Sequence, residues 1–140
     1  MNLTPIDAVR RYYRSLTPGR RADLMELLDP RLVLEVPDGF PGGGGTYVGL
    51  KAYLEDFLYS FYGTFDMETA PSEFLDAGQT VVALGHHRGH ALSTGVVVDV
   101  PFAHVWTVHE GRLVRGRMFS DTATLCIAAG ARSGPVPRTP

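Results

Sequence analysis

Val98, Val100, Phe102, His104, Trp106 and Val108 follow one another at every second position, so an extended chain puts all six on one face. The same alternation predicts three long strands, at about 66–76, 79–92 and 96–109, turned at Ala77-Gly78 and near Ser93-Thr94-Gly95. Glu110-Gly111 leads into a last strand, 112–120. Upstream the period is helical. Thr4, Pro5 and Asp7 make a helix start, Ile6, Val9, Tyr12, Tyr13 and Leu16 recur at helical spacing, and Thr17-Pro18-Gly19 ends the element. Ala22 to Leu28 is a second, short helix stopped by Asp29-Pro30. Leu32 to Val36 reads as a strand closed by Pro37-Asp38-Gly39, and Tyr47-Val48 as a short one after a glycine-rich stretch. Leu50 to Tyr62 is an amphipathic helix rich in aromatic residues, and 122–129 a short C-terminal helix.

This order is an α+β plan: helices on one face of a curved, largely antiparallel sheet, a cone-shaped half-barrel enclosing an apolar pocket. Residues 1–129 form a single domain, and 130–140 is a Pro/Gly/Arg tail expected to be disordered. The outer sheet face is also apolar, which predicts a homodimer closed through it.

Composition narrows the partners. With 140 residues, 44% hydrophobic, the chain has material for one core. A net charge of -2 with scattered arginines argues against nucleic acid, and no apolar run approaches a membrane span, so a cytoplasmic protein is expected. Cys126, the single cysteine, allows no intramolecular disulfide and reads as a small core residue in Ala-Thr-Leu-Cys-Ile-Ala-Ala.

Several segments then resemble one family: Arg-Tyr-Tyr-x-x-Leu (Arg11 to Leu16), Gly-Gly-x-Tyr-x-Gly (Gly44 to Gly49), Glu-Phe-Leu-Asp-Ala-Gly (Glu73 to Gly78) and Val-Pro-Phe-Ala-His-Val-Trp (Val100 to Trp106). Over about residues 5–128 the chain is similar to SnoaL-like members of the nuclear transport factor 2-like superfamily. That resemblance implies the cone fold and a hydrophobic small-molecule ligand, with no cofactor. The superfamily includes ketosteroid isomerases, limonene epoxide hydrolases and polyketide cyclases, and most of their functional residues do not carry over. The isomerase base falls on Val36 and its second acid on Ala103, although the helix-one tyrosine resembles Tyr12. The hydrolase Arg-x-Asp pair falls on Thr80 and Val82, its other Asp on Asp121. The cyclase His matches His104, while of its two late acids one becomes Met118 and the other is Asp121.

Asp121 and His104 are therefore the candidate catalytic pair. Counting from Glu110-Gly111 as a two-residue turn sets His104 opposite Arg117 and puts His104, Arg117, Phe119 and Asp121 on one face. Imidazole and carboxylate then stand about 13 Å apart, a span for a multi-ring ligand. The carboxylate would take a proton from an activated carbon while neutral histidine steadies the enolate. Two readings stand for each: Asp121 as base or as cap of the last helix, His104 as ligand contact or as a satisfied buried histidine at the sheet or dimer contact. Tyr12, Tyr47, His90, Trp106 and Met118 are the candidate substrate contacts. His86-His87-x-x-His90 is not a metal site, because a strand points His87 away from the other two. Gly42 to Gly45 lacks the Gly-Lys-Ser/Thr of a phosphate loop and reads as a pocket flap. The expected function is a cofactor-free cyclase or isomerase of secondary metabolism acting on a hydrophobic carbonyl compound; an epoxide-opening enzyme and a non-catalytic binding protein are the alternatives.

Overall fold

A computed structural model describes residues 3–17 and 19–130. The expected disorder of the tail concerns residues of which all but Gly130 lie outside that range, as does Pro18. Helix α1 (Pro5–Arg14) starts where Thr4 accepts the Asp7 backbone N–H on its hydroxyl, at 3.3 Å. It ends at Ser15, three residues short of the expected proline, where the last turn tightens: the Ser15 N–H is shared with the Tyr12 carbonyl and the Leu16 N–H goes to that of Tyr13. Ala8, Val9, Tyr12 and Tyr13 form its buried stripe. Helix α2 (Arg21–Leu27) runs directly into β1 (Leu28–Val36), followed by β2 (Gly45–Val48).

The predicted aromatic helix is not uniform. Ala52–Leu58 is π-helical and continues as α3 (Tyr59–Thr64), together carrying Tyr53, Phe57 and Phe61 into the core. Strands β3 (Phe65–Ala77), β4 (Thr80–Ala91), β5 (Val97–His109) and β6 (Arg112–Ser120) form the meander, and α4 (Thr122–Ala128) closes the described chain. One six-stranded sheet results, in the order β2-β1-β6-β5-β4-β3, with β1 and β6 parallel and the other neighbours antiparallel. The six alternating residues of β5 are all buried and face the helices.

One register differs from the count made on sequence. Thr107 pairs with Arg115 but Val108 with Leu113, so Val114 is an extra residue, a bulge that shifts β6 by one. His104 therefore lies opposite Met118, not Arg117. Gly116 and Met118 turn inward, whereas Arg117 and Phe119 face out.

Gly116 lies opposite Trp106, and its missing side chain makes room for the indole. A Cβ there would stand 2.5 Å from Trp106 Cζ3 and 2.9 Å from Leu34 Cδ1. Gly116→Ala is expected to destabilise the protein by about 1–3 kcal/mol, as overpacking of a filled core does, and the urea midpoint measures it.

Candidate functional site

Among the described residues the buried polar side chains, tyrosines and the tryptophan aside, are Ser15, His87 and His104. The two histidines, on neighbouring strands, point into the cone with ring centroids 5.9 Å apart. His104 Nδ1 is 2.5 Å from the Tyr13 hydroxyl, which also lies 3.0 Å from Trp106 Nε1. An indole N–H only donates, so Tyr13 accepts from Trp106 and satisfies its own proton by donating to His104 Nδ1. That network assigns the imidazole proton to Nε2. No described group bonds this Nε2, and no fully enclosed side-chain nitrogen or oxygen lacks a partner. Nε2 therefore borders open space. Desolvation, with a smaller effect of His87, holds the His104 pKa well below its ordinary value, so the ring is neutral. His87 Nδ1 is 3.2 Å from Thr69 Oγ1, which is 2.6 Å from the Tyr62 hydroxyl. Burial first, and His86 second, push its pKa down to about 4.

Both histidines line a cavity of about 20 Å³ together with Tyr12, Phe57, Phe61 and Met118. That is room for about one water molecule. A wider groove of about 590 Å³ runs between α1 and β3, and Leu16, Tyr62 and Thr69 belong to the walls of both spaces.

The expected residues are thus sorted by the sheet. His104, Tyr12 and Met118 meet at the cavity. Tyr12 shares its hydroxyl with that of Tyr53, and burial raises the pKa of both phenols. Trp106 stands behind the site, orienting Tyr13. Tyr47 packs edge-on to Phe57 and donates to the Gly43 carbonyl at 2.5 Å, outside the cavity lining. Of the glycine-rich segment's surroundings, Phe40 is the residue that reaches the cavity wall.

His90 does not reach the pocket: it shares the outer face with His86, which binds Asp99 at 2.6 Å, and the inward histidine of that strand is His87. Asp121 does not join His104 either. It is exposed and caps α4, accepting the Thr124 N–H at 3.1 Å and its hydroxyl at 2.6 Å, and the hydroxyl bond is the main reason its pKa is lowered. The Val114 bulge is the physical reason for the separation. Glu35 faces outward between Arg115 and Arg117, at 2.6 and 3.2 Å. Cys126 is half-buried, its thiol raised by burial. No three His, Cys, Asp or Glu among the described residues are gathered as a metal site requires, and no described helix is long and apolar enough to cross a membrane.

The sequence profile of the SnoaL-like domain matches residues 9–116. Among solved structures, a protein of unknown function from Burkholderia pseudomallei K96243, described as NTF2-like, is 28% identical with a TM-score of 0.80, covering 91% of this chain and 98% of that one. TerC, co-crystallised with polyporic acid, is 25% identical with a TM-score of 0.80 over the same shares. A putative SnoaL-like polyketide cyclase from Jannaschia sp. CCS1 has the same fold, with a TM-score of 0.79 at 20% identity, over 91% of this chain and 92% of that one. No curated protein matches the chain.

Two buried neutral imidazoles make stability depend on pH. The unfolded chain takes up their protons below about pH 6.5, while the folded chain does not until about pH 4 at His87 and lower than the ordinary value at His104. Stability is complete above pH 6.5 and falls as pH drops below it, by up to about 1.4 kcal/mol per pH unit for each ring. Urea midpoints between pH 7.5 and 4.5 are expected to fall accordingly, and His87→Phe should flatten the slope.

Proposed function

The chain belongs to the SnoaL-like family of the nuclear transport factor 2-like superfamily, and from that premise we propose that it is a small-molecule enzyme, a cofactor-independent cyclase or isomerase of secondary metabolism acting on a hydrophobic carbonyl compound. The observation that carries this reading is His104: a neutral imidazole held by Tyr13 and Trp106, with its one unpartnered N–H at the edge of an apolar cavity. A substrate carbonyl would accept that N–H. When a proton leaves the adjacent carbon, negative charge moves onto the oxygen, and a donor already in place stabilises it without reorganisation. The Tyr13 hydroxyl on Nδ1 fixes the tautomer, and the scarcity of water strengthens the bond.

His87 is the proton acceptor we assign in place of Asp121. As a neutral ring it offers a lone pair from the same wall, and the enolate formed beside it would favour the imidazolium that burial alone opposes. Polyporic acid, which TerC was crystallised with, is a natural first ligand to try. The epoxide-opening alternative is weaker, since no carboxylate lines the cavity.

The test is solvent deuterium exchange at the α-carbon of 2-tetralone, a bicyclic ketone, followed by NMR. The protein should accelerate exchange, and His104→Phe should reduce the acceleration by about 100-fold, with far-UV circular dichroism confirming its fold. Binding of 2-tetralone without acceleration would support the non-catalytic reading instead.

The reading includes a cytoplasmic homodimer. Val82, Leu84 and Val105 make the middle of the outer sheet face apolar, between the Glu35–Arg115 and His86–Asp99 ion pairs. Sedimentation at micromolar concentration is expected to show a dimer, and Val105→Glu a monomer; a monomeric wild type removes this part of the proposal.

A further inference from the structure

We propose that the groove between α1 and β3 is an anion-selective subsite, which takes a carboxylate or similarly charged group of an otherwise apolar ligand at Arg10 and Arg14. The inference deepens the reading of the His104 cavity as a ligand site and rests on it. At about 590 Å³ the groove has the size of an ordinary small-molecule pocket, and the inner cavity does not. A ligand of more than a few atoms must therefore keep its body outside the inner cavity, and this groove meets that cavity at Leu16, Tyr62 and Thr69. Tyr13 lines that groove with its ring and bonds His104 with its hydroxyl, so the wall of the groove is also the support of the imidazole.

The floor is apolar, with Met67, Pro71 and Phe74, and the rim is not. Arg10 and Arg14 are one helical turn apart on α1 and both line the groove. The Arg10 guanidinium lies over the Phe74 ring, 5.2 Å from its centroid, which holds the cation at the edge of the apolar floor. Among the described residues neither guanidinium forms an ion pair, as is true also of Arg11, Arg21 and Arg112, whereas Arg20, Arg31, Arg88, Arg115 and Arg117 do. Two like charges four residues apart weaken a helix slightly, and no carboxylate of the described chain is ion-paired with either of them. Among the described residues the one carboxylate on the groove is Glu68, on β3. It gives the site two signs of charge, with the cations in excess and on the helix side. A planar anion is the natural complement of a guanidinium pair. Such a ligand would lay its apolar body over Phe74 and direct its far end past Leu16 and Tyr62 toward His104.

The experiment compares 2-naphthoate with neutral 2-naphthamide on the full chain. Calorimetry gives the affinities, and fluorescence of Trp106, the single tryptophan and a neighbour of Tyr13, reports binding near the site. Wild type should prefer naphthoate, and Arg10→Gln with Arg14→Gln should weaken naphthoate about fivefold or more while leaving naphthamide unchanged, as exposed charge pairs allow. Glu68→Gln should tighten naphthoate, and added salt should weaken it. Equal binding of the two compounds, or no change in the arginine variant, overturns the subsite. So does the absence of any binding. If naphthamide still binds and His104→Phe weakens it, the cavity reading survives that failure; if His104→Phe changes neither compound, the cavity reading falls with it.

Discussion

The structure depends on satisfying the polar atoms of aromatic side chains in a place without water. Trp106, Tyr13 and His104 form one chain of hydrogen bonds, and Tyr12 and Tyr53 another. Each buried N–H or O–H left without a partner would cost about 1–3 kcal/mol, comparable to a substantial part of a domain's stability. Helix α1 must therefore sit where Tyr12 reaches the π-helical segment and Tyr13 reaches β5 at the same time. Adjacent residues on a helix point roughly 100° apart, so these two contacts fix both the rotation and the height of α1 over the sheet. The sheet in turn must leave room. Gly116 does so under Trp106, and Gly85 does so where Phe102 crosses, a Cβ there being 2.8 Å from the Phe102 ring.

Period and punctuation made most of this fold legible. The alternation of β5 put His104 on one apolar face without saying whether that face was the pocket or the dimer side, the structure turns it inward, and the glycine turns bounded the meander within a few residues. What stayed hidden was a single inserted residue. Val114 breaks no composition rule, and a bulge is invisible to a count that assumes one residue per rung. That count carried Asp121 to the face of His104, whereas the shifted register takes it to the surface as a cap. His87 was hidden for another reason. Alternation separates it from His86 and His90 without saying which of the two faces is inward, and the structure turns the odd one into the cone. Helical spacing likewise does not choose between Tyr13 and its neighbour Tyr12. The spacing marked both as buried, but only the height of α1 decides which hydroxyl meets the imidazole.

The π-helical turn matters to how a ligand would be admitted. Tyr53 and Phe57 come from it, Leu58 ends it, and α3 follows with Phe61 and Tyr62, so one continuous segment supplies much of the helical wall of the cavity. Its wider turns are a geometry that proteins keep mostly at functional places, since the hydrogen bonding is poorer than in an α-helix. Tyr62 holds the far side of that wall to β3 through Thr69, and the same threonine reaches His87. Tyr62, Thr69 and His87 thus make a further hydrogen-bonded chain along the cavity wall.

A small apolar cavity suits acid/base work better than an open one. A neutral histidine in water is an ordinary donor and an ordinary base, and solvent competes at both nitrogens. In the cone, Tyr13 removes one nitrogen of His104 from that competition and the apolar walls remove water from the other. The cost is that charge is opposed on the free protein, as the lowered pKa values of both histidines show. Charge becomes tolerable only when it appears in pairs, a positive ring beside a negative oxygen. Chemistry that creates both at once, moving a proton from a carbon to one imidazole while the other holds the oxygen, is the kind this arrangement favours.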